Sequence, residues 1–310
     1  MEERYLGNKQ TIKPLKDLTL LDRFLFAEAM DDPEINQLIL EIILGKELLM
    51  HNWTQTEKEV RISPLARSIR VDVFSSDEDG NVYDAEVQKK DEGNLPRRSR
   101  LYQGLIDSTL LVPGIIDFNE MKDCYIIIIS PFDLINQGRY SYTFRMRCDE
   151  DRDYCLGDGG VRIFLNTRGT DEHSASPELI ELLHYIERVT GDVQPEITGD
   201  KLKQIHQRVQ SVRQSEETGV KYMQLWEERL LDKQEAREEG LTEGRKEGRA
   251  IGQKLSQIIL IRKNFNHGMS IESIAVFLDL DASIVKQICE KIQTEPDVPD
   301  EELTLILPNL

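Results

Sequence analysis

The sequence predicts an α/β core followed by an α-helical C-terminal region. Three observations carry this reading. Residues 67–75 and 82–88 alternate apolar and polar side chains on either side of Asp77-Glu78-Asp79-Gly80-Asn81, the pattern of a β-hairpin around a tight turn. Residues 123–130 hold Tyr125 and the isoleucines 126–129, a continuous apolar run of the kind found at a sheet centre, with a helical stretch between it and the hairpin. From Lys201 onward the pattern turns into long, charged helix.

The elements follow in order. Thr19 is the expected N-cap of a first helix, with Asp22 in capping-box position and an apolar stripe of Leu20, Leu21, Phe24, Leu25 and Ala27. Asp32 and Pro33 open a second helix that Gly45 closes. Residues 94–112 read as a helix with Leu101, Leu105, Ile106 and Leu110 inward, ended by Pro113-Gly114. Two further strands are expected over 139–147 and 161–165, then a helix over 177–189. Residues 235–252 repeat Glu-Gly-Arg-like units with glycine every four positions, which weakens a helix and predicts a flexible helical linker. Residues 255–292 read as short amphipathic helices. Gly268 to Leu280 has helix-turn-helix spacing, with Ser270 as cap, but the helix after it carries only Lys286 and Lys291 as cations. Protein association, including a homo-oligomer through the C-terminal helices, is therefore favoured there over DNA reading.

Composition bounds the function. The 310 residues are 39% apolar and 31% charged, a globular composition with a formal charge of −18. That total argues against non-specific coating of nucleic acid but leaves room for a local basic groove. No apolar run is long enough for a membrane span, and the N-terminus lacks a signal-peptide core, so a cytoplasmic protein is expected. Cys124, Cys148, Cys155 and Cys289 form no C-x-x-C pair, which points to free thiols without structural zinc. There is no phosphate-binding G-x-x-x-x-G-K-[ST] loop and no nucleophile elbow.

The hairpin carries the chemistry. With the turn centred on Asp79, paired residue numbers sum to about 158, which places Asp72 opposite Glu86 and Arg70 opposite Gln88. Facing carboxylates repel, and Asp84 on the same face adds to the crowding. A divalent cation would relieve it: Mg²⁺, with Mn²⁺ as substitute, takes one or two carboxylates plus waters and phosphate oxygens. Gln88 projects from the same face, and Lys89 follows it on the other. Lys89, Lys90, Arg97, Arg98 and Arg100, then Tyr102 and Gln103, form a basic segment suited to a phosphate backbone. The bland alternatives are a solvated sheet face for the carboxylates and a solvated or packing role for the helix residues.

The ordered set Arg70-x-Asp72, Glu86-x-Gln88-Lys89 and Arg97-Arg98-x-Arg100-x-Tyr102-Gln103 resembles the PD-(D/E)XK nuclease family transposases, the Rpn-type recombination-promoting nucleases. Leu21-Asp22-Arg23-Phe24-Leu25-Phe26, Phe164-Leu165-Asn166-Thr167, Pro177-Glu178-Leu179 and the Glu-Gly-Arg repeats are similar to the same family, so the resemblance spans roughly 15–290. It implies a restriction-endonuclease-like core, with a central mixed sheet flanked by helices, and Mg²⁺-dependent cleavage of DNA tied to recombination or mobile elements. It assigns Asp72 and Glu86 to the metal. Gln88 stands where the wider superfamily often has lysine; it can orient water but supplies no charge. Gln88 and Lys89 both remain candidates for supporting the water, and Asp22 and Glu28 for the acidic residue of the first helix. The DNA-facing set is Arg97, Arg98, Arg100, Tyr102 and Gln103. A catalytically silent binding module with the same fold is the alternative. The expected organisation is a nuclease-like domain over 1–195, a linker over 196–252, a small helical segment over 253–295 and an acidic tail over 296–310.

Overall fold

A computed structural model describes residues 12–60, 69–110, 117–193 and 196–307. The chain divides into two compact units, Met1–Leu225 and Trp226–Leu310. This boundary falls inside the segment expected as a linker.

The first unit is α/β. Among the described residues its mixed sheet has six strands in the order β1-β2-β3-β4-β6-β5. These are β1 (Met50–Val60), β2 (Ile69–Asp77), β3 (Val82–Val87), β4 (Cys124–Ser130), β5 (Ser141–Phe144) and β6 (Gly160–Asn166). The neighbours β3, β4 and β6 run parallel; β1–β2, β2–β3 and β5–β6 are antiparallel. The isoleucine run is central, as its two-sided apolarity predicts. The edge strand β1 was not legible in the sequence: it is a polar stretch without alternation, and edges tolerate that because only one side is paired.

The expected hairpin forms. Val73 pairs with Ala85, Phe74 with Asp84, Ser75 with Tyr83 and Ser76 with Val82, all summing to 158. Asp77 holds the turn: its carboxylate accepts from Asn81 N at 2.8 Å and from the Tyr83 hydroxyl at 2.7 Å. Gly80 has φ +85°, a conformation that L side chains rarely adopt.

Both sheet faces are covered. One carries Val73, Tyr83, Ala85, Val87, Ile127, Ile129, Ile163 and Leu165. It packs against α1 (Arg23–Met30), α2 (Pro33–Leu44), α4 (Pro177–Arg188) and α5 (Asp200–Gln214). The other carries Phe74, Val82, Ile126, Ile128 and Phe164 beneath α3 (Leu95–Leu110), which contributes Leu95, Leu105 and Ile106. Leu101, expected inward, is exposed, and Pro113-Gly114 lies outside the described residues. The first helix starts later than expected. Asp22, not Thr19, is its N-cap, accepting from Phe24 N at 3.1 Å. Asp32, Pro33 and Gly45 act as expected on α2.

Helix α6 (Glu216–Asn266) runs unbroken through Gly240, Gly244, Gly248 and Gly252. In the second unit, α7 (Ile271–Leu278) is capped by Ser270, and α8 (Ala282–Thr294) follows Asp279 in the left-handed conformation. The segment expected as an acidic tail is different: it contains α9 (Asp300–Leu303) and buries Val298, Leu303 and Leu307 against Ile258, Ile261, Ile288 and Ile292. Arg262 ties it down through Asp300 Oδ1 at 2.7 Å and Pro296 O at 3.0 Å. The apolar residues recur among the acids at spacings that reach a core, so the net charge of the segment conceals a packing role. Leu303→Ala is expected to destabilise this unit by about 2–5 kcal/mol. The check is amide hydrogen exchange across α7 and α8, which speeds up in the variant; a loose tail would leave it unchanged.

Candidate functional site

The α3 face of the hairpin is where charge is buried. Asp72, Asp84 and Glu86 are 3%, 1% and 4% exposed. Phe74 pairs with Asp84, and the same register continued by two residues sets Asp72 opposite Glu86. Each carboxylate thus comes from a strand whose opposite face is locked into the core, which fixes where it points.

Among the described residues, Arg23 and Arg98 reach this cluster. Arg23, the first residue of α1, places Nε 2.5 Å from Asp72 Oδ1. Arg98, on the first turns of α3, places Nη2 3.5 Å from Glu86 Oε2 and 2.7 Å from Gln88 Oε1. Gln88 is held from its own backbone too, its N donating to Ile129 O at 2.8 Å, so it continues the β3–β4 ladder just beyond the strand. The Arg98 guanidinium lies 5.7 Å from the Tyr102 ring centroid. Burial, then the charge of Glu86, pushes the Tyr102 hydroxyl up to about 12.

Asp84 is the anomaly. Among the described residues, neither carboxylate oxygen has a hydrogen-bond partner, and both are buried. Burial raises its pKa well above the ordinary carboxylate value, and the charges of Glu86 and Asp72 raise it further against a smaller opposing effect of Arg98. A buried acceptor without a donor normally costs about 1–3 kcal/mol. The cluster offers only hard oxygen donors, which suits Mg²⁺ or Mn²⁺ and not a soft metal. Among the described residues, no three or more His, Cys, Asp or Glu side chains converge as a metal-holding group. The donors present are the oxygens of Asp72, Asp84 and Glu86, and a cation held by two of these carboxylates would need water or substrate oxygens to complete its shell.

The structure brings together Asp72, Glu86, Gln88, Arg98 and Tyr102 from the predicted set, and adds Arg23 and Asp84. It separates others. Lys89 Nζ sits 2.8 Å from Asp22 Oδ2 and is committed to the cap of α1, as expected from its place on the opposite side of the strand. Of the two acids considered on the first helix, Asp22 holds Lys89 and Glu28 lies 3.3 Å from Lys221 Nζ; Arg23 is the residue of that helix that meets a site carboxylate. Arg97 and Arg100 are exposed on α3. Gln103 is buried and accepts from Arg162 Nε at 2.9 Å, over β6. The Arg70 side chain lies outside the described residues. Arg23 was missed because its partner is distant in sequence. The signal available was its position directly after the capping Asp22 in a run already singled out.

The four cysteines are free thiols. Among the described residues, no helix is long and apolar enough to cross a membrane. In the helix-turn-helix-like segment the cations are taken up locally, Lys291 by Glu302 at 2.6 Å and Lys286 by Glu290 at 3.8 Å.

The class that fold and site define is an α/β protein with a buried carboxylate cluster bracketed by arginines on a mixed sheet. No family model, no curated protein and no solved structure matches the chain.

Proposed function

We propose that this chain is a Mg²⁺-dependent nuclease that hydrolyses DNA phosphodiester bonds, with a restriction-endonuclease-like core. The observation that supports this most is the buried trio Asp72, Asp84 and Glu86, in which Asp84 has no hydrogen-bond donor. The resemblance to the PD-(D/E)XK nuclease family transposases shares Asp72 and Glu86 with this trio. In this reading Asp72 and Glu86 hold the metal. When bound, the ion supplies an activated water and stabilises charge developing on the phosphodiester.

The chain's own groups do the rest. Gln88 has an amide oxygen committed to Arg98 and an amide nitrogen donating to Lys90 O, so it orients neighbours by hydrogen bonds and carries no charge. Arg98 is partly buried beside Glu86 and can exchange a carboxylate for a phosphate oxygen within one side chain's reach. Tyr102, with its hydroxyl pushed up, stays protonated at neutral pH and serves as a donor. Arg97 and Arg100 extend the positive face of α3 toward solvent, where DNA would lie.

A second reading has its own observation. Arg23 and Arg98 already offset two of the carboxylates, which a catalytically silent binding protein would also need. Incubation of supercoiled plasmid with Mg²⁺, Mn²⁺ or EDTA separates the two. Cleavage in either metal and none in EDTA is expected; intact plasmid in all three, with folded protein, favours the silent reading.

A further inference from the structure

The sheet row that carries Asp84 leads to a second feature. Asp84 pairs with Ile126, Ile126 with Arg162, and Arg162 with Phe144, so all four lie side by side and face the same way. Arg162 is two strands from Asp84, about 10 Å at ordinary strand spacing. At that end of the row, on the side of α3 away from the carboxylates, is a cavity of about 470 Å³. Arg100, Gln103, Phe144, Arg145, Met146 and Arg162 line it. This is within the size range of small-ligand pockets.

The lining is fixed and charged. Gln103 orients Arg162 through its 2.9 Å bond, and it rests on Gly160, where an added Cβ would lie 2.3 Å from Gln103 Nε2. Phe144 is 43% exposed, yet its ring is held edge-on to Phe164 at 5.6 Å. Arg100 and Arg145 are exposed, and none of the three arginines is in an ion pair with a described carboxylate. Asp107 and Asp158 also line the cavity, and the arginines outnumber them. On a chain with a formal charge of −18, a lining of three arginines against two aspartates, Asp107 lying in the field of Arg162, sets an anchored, exposed aromatic in a locally positive cleft.

We infer that this cleft binds one nucleotide of a single nucleic-acid strand, its phosphate among Arg100, Arg145 and Arg162 and its base stacked on Phe144. Guanidinium groups suit phosphate oxygens, and a fixed aromatic beside a basic groove is the recurring arrangement for unpaired bases. The choice of a strand over a free nucleotide rests on the nuclease reading.

The test is fluorescence anisotropy of a labelled single-stranded oligonucleotide of about 15 nucleotides with the full chain in EDTA, where no cleavage intervenes. Phe144→Leu keeps the apolar contact to Phe164 but removes the stacking face; it is expected to weaken binding about 5- to 100-fold. Arg145→Gln, at an exposed position, is expected to weaken binding a few-fold and to reduce the salt slope by about 1. Binding unchanged in both variants would overturn the proposal, and so would displacement of the strand by an equimolar mononucleotide. Plasmid cleavage alongside keeps the two readings apart. Phe144-dependent binding without cleavage leaves the cleft and removes the nuclease; cleavage with variant-independent binding does the reverse.

Discussion

Glu86→Ala is expected to abolish the proposed metal-dependent plasmid cleavage, and Asp72→Ala to do the same, while both chains stay folded. The expected loss is at least about 100-fold, since even residues that only support metal ligands cost 10- to 100-fold. Folding survives because each change removes a buried negative charge from a cluster that repels itself, and the apolar faces of β2 and β3 are untouched. In the Glu86 variant, Arg98 keeps its bond to Gln88, so its guanidinium is not stranded. Circular dichroism and thermal unfolding beside the cleavage assay check both halves. A cleaving, folded Glu86→Ala chain removes this residue from the site.

Asp84→Asn is expected to make the protein more stable at neutral pH. The carboxylate is 1% exposed, has no donor on either oxygen, and lies beside Glu86 and Asp72. Its folded-state pKa is raised, so the folded chain binds more protons than the unfolded one over the interval above the ordinary carboxylate range. Stability from this group is present at low pH and is lost as pH rises toward the folded pKa. Asparagine removes that loss. The expected gain is about 1–3 kcal/mol near pH 8, shrinking toward zero near pH 4. Urea unfolding of both chains in EDTA across this pH range reads it. An equal or less stable variant at pH 8 would show that the carboxylate is compensated. Cleavage is expected to fall in the same variant, which makes Asp84 a stability cost kept for the site.

Much of the hairpin was legible in the sequence because its signals agree. The alternation sets the faces, Asp77 and Gly80 set the turn, and symmetry about Asp79 sets the register that the strands adopt. The central strand announced itself by apolarity on both sides. What was not legible has a common cause, dependence on partners far along the chain. Among the described residues β1 pairs on one side only, a place that tolerates its polar side chains. Gln103 looked like part of a DNA-facing run, but its partner Arg162 lies 59 residues away. Arg23 meets Asp72 through the way α1 is packed, and its place directly after the capping Asp22 was the local signal for it. The acidic C-terminal segment hides Val298, Leu303 and Leu307, whose core belongs to three other helices. The site carboxylates were visible as a pattern; the depth of their burial, and the absence of a donor at Asp84, required the fold.

In the proposed site, Asp72 and Glu86 hold a divalent cation. Mn²⁺ titrated into the full chain and followed by electron paramagnetic resonance tests it without relying on activity. The expected result is a bound ion that Mg²⁺ displaces and that Glu86→Ala no longer holds. Mn²⁺ that stays free with wild type, or binds equally well to Glu86→Ala, would contradict it.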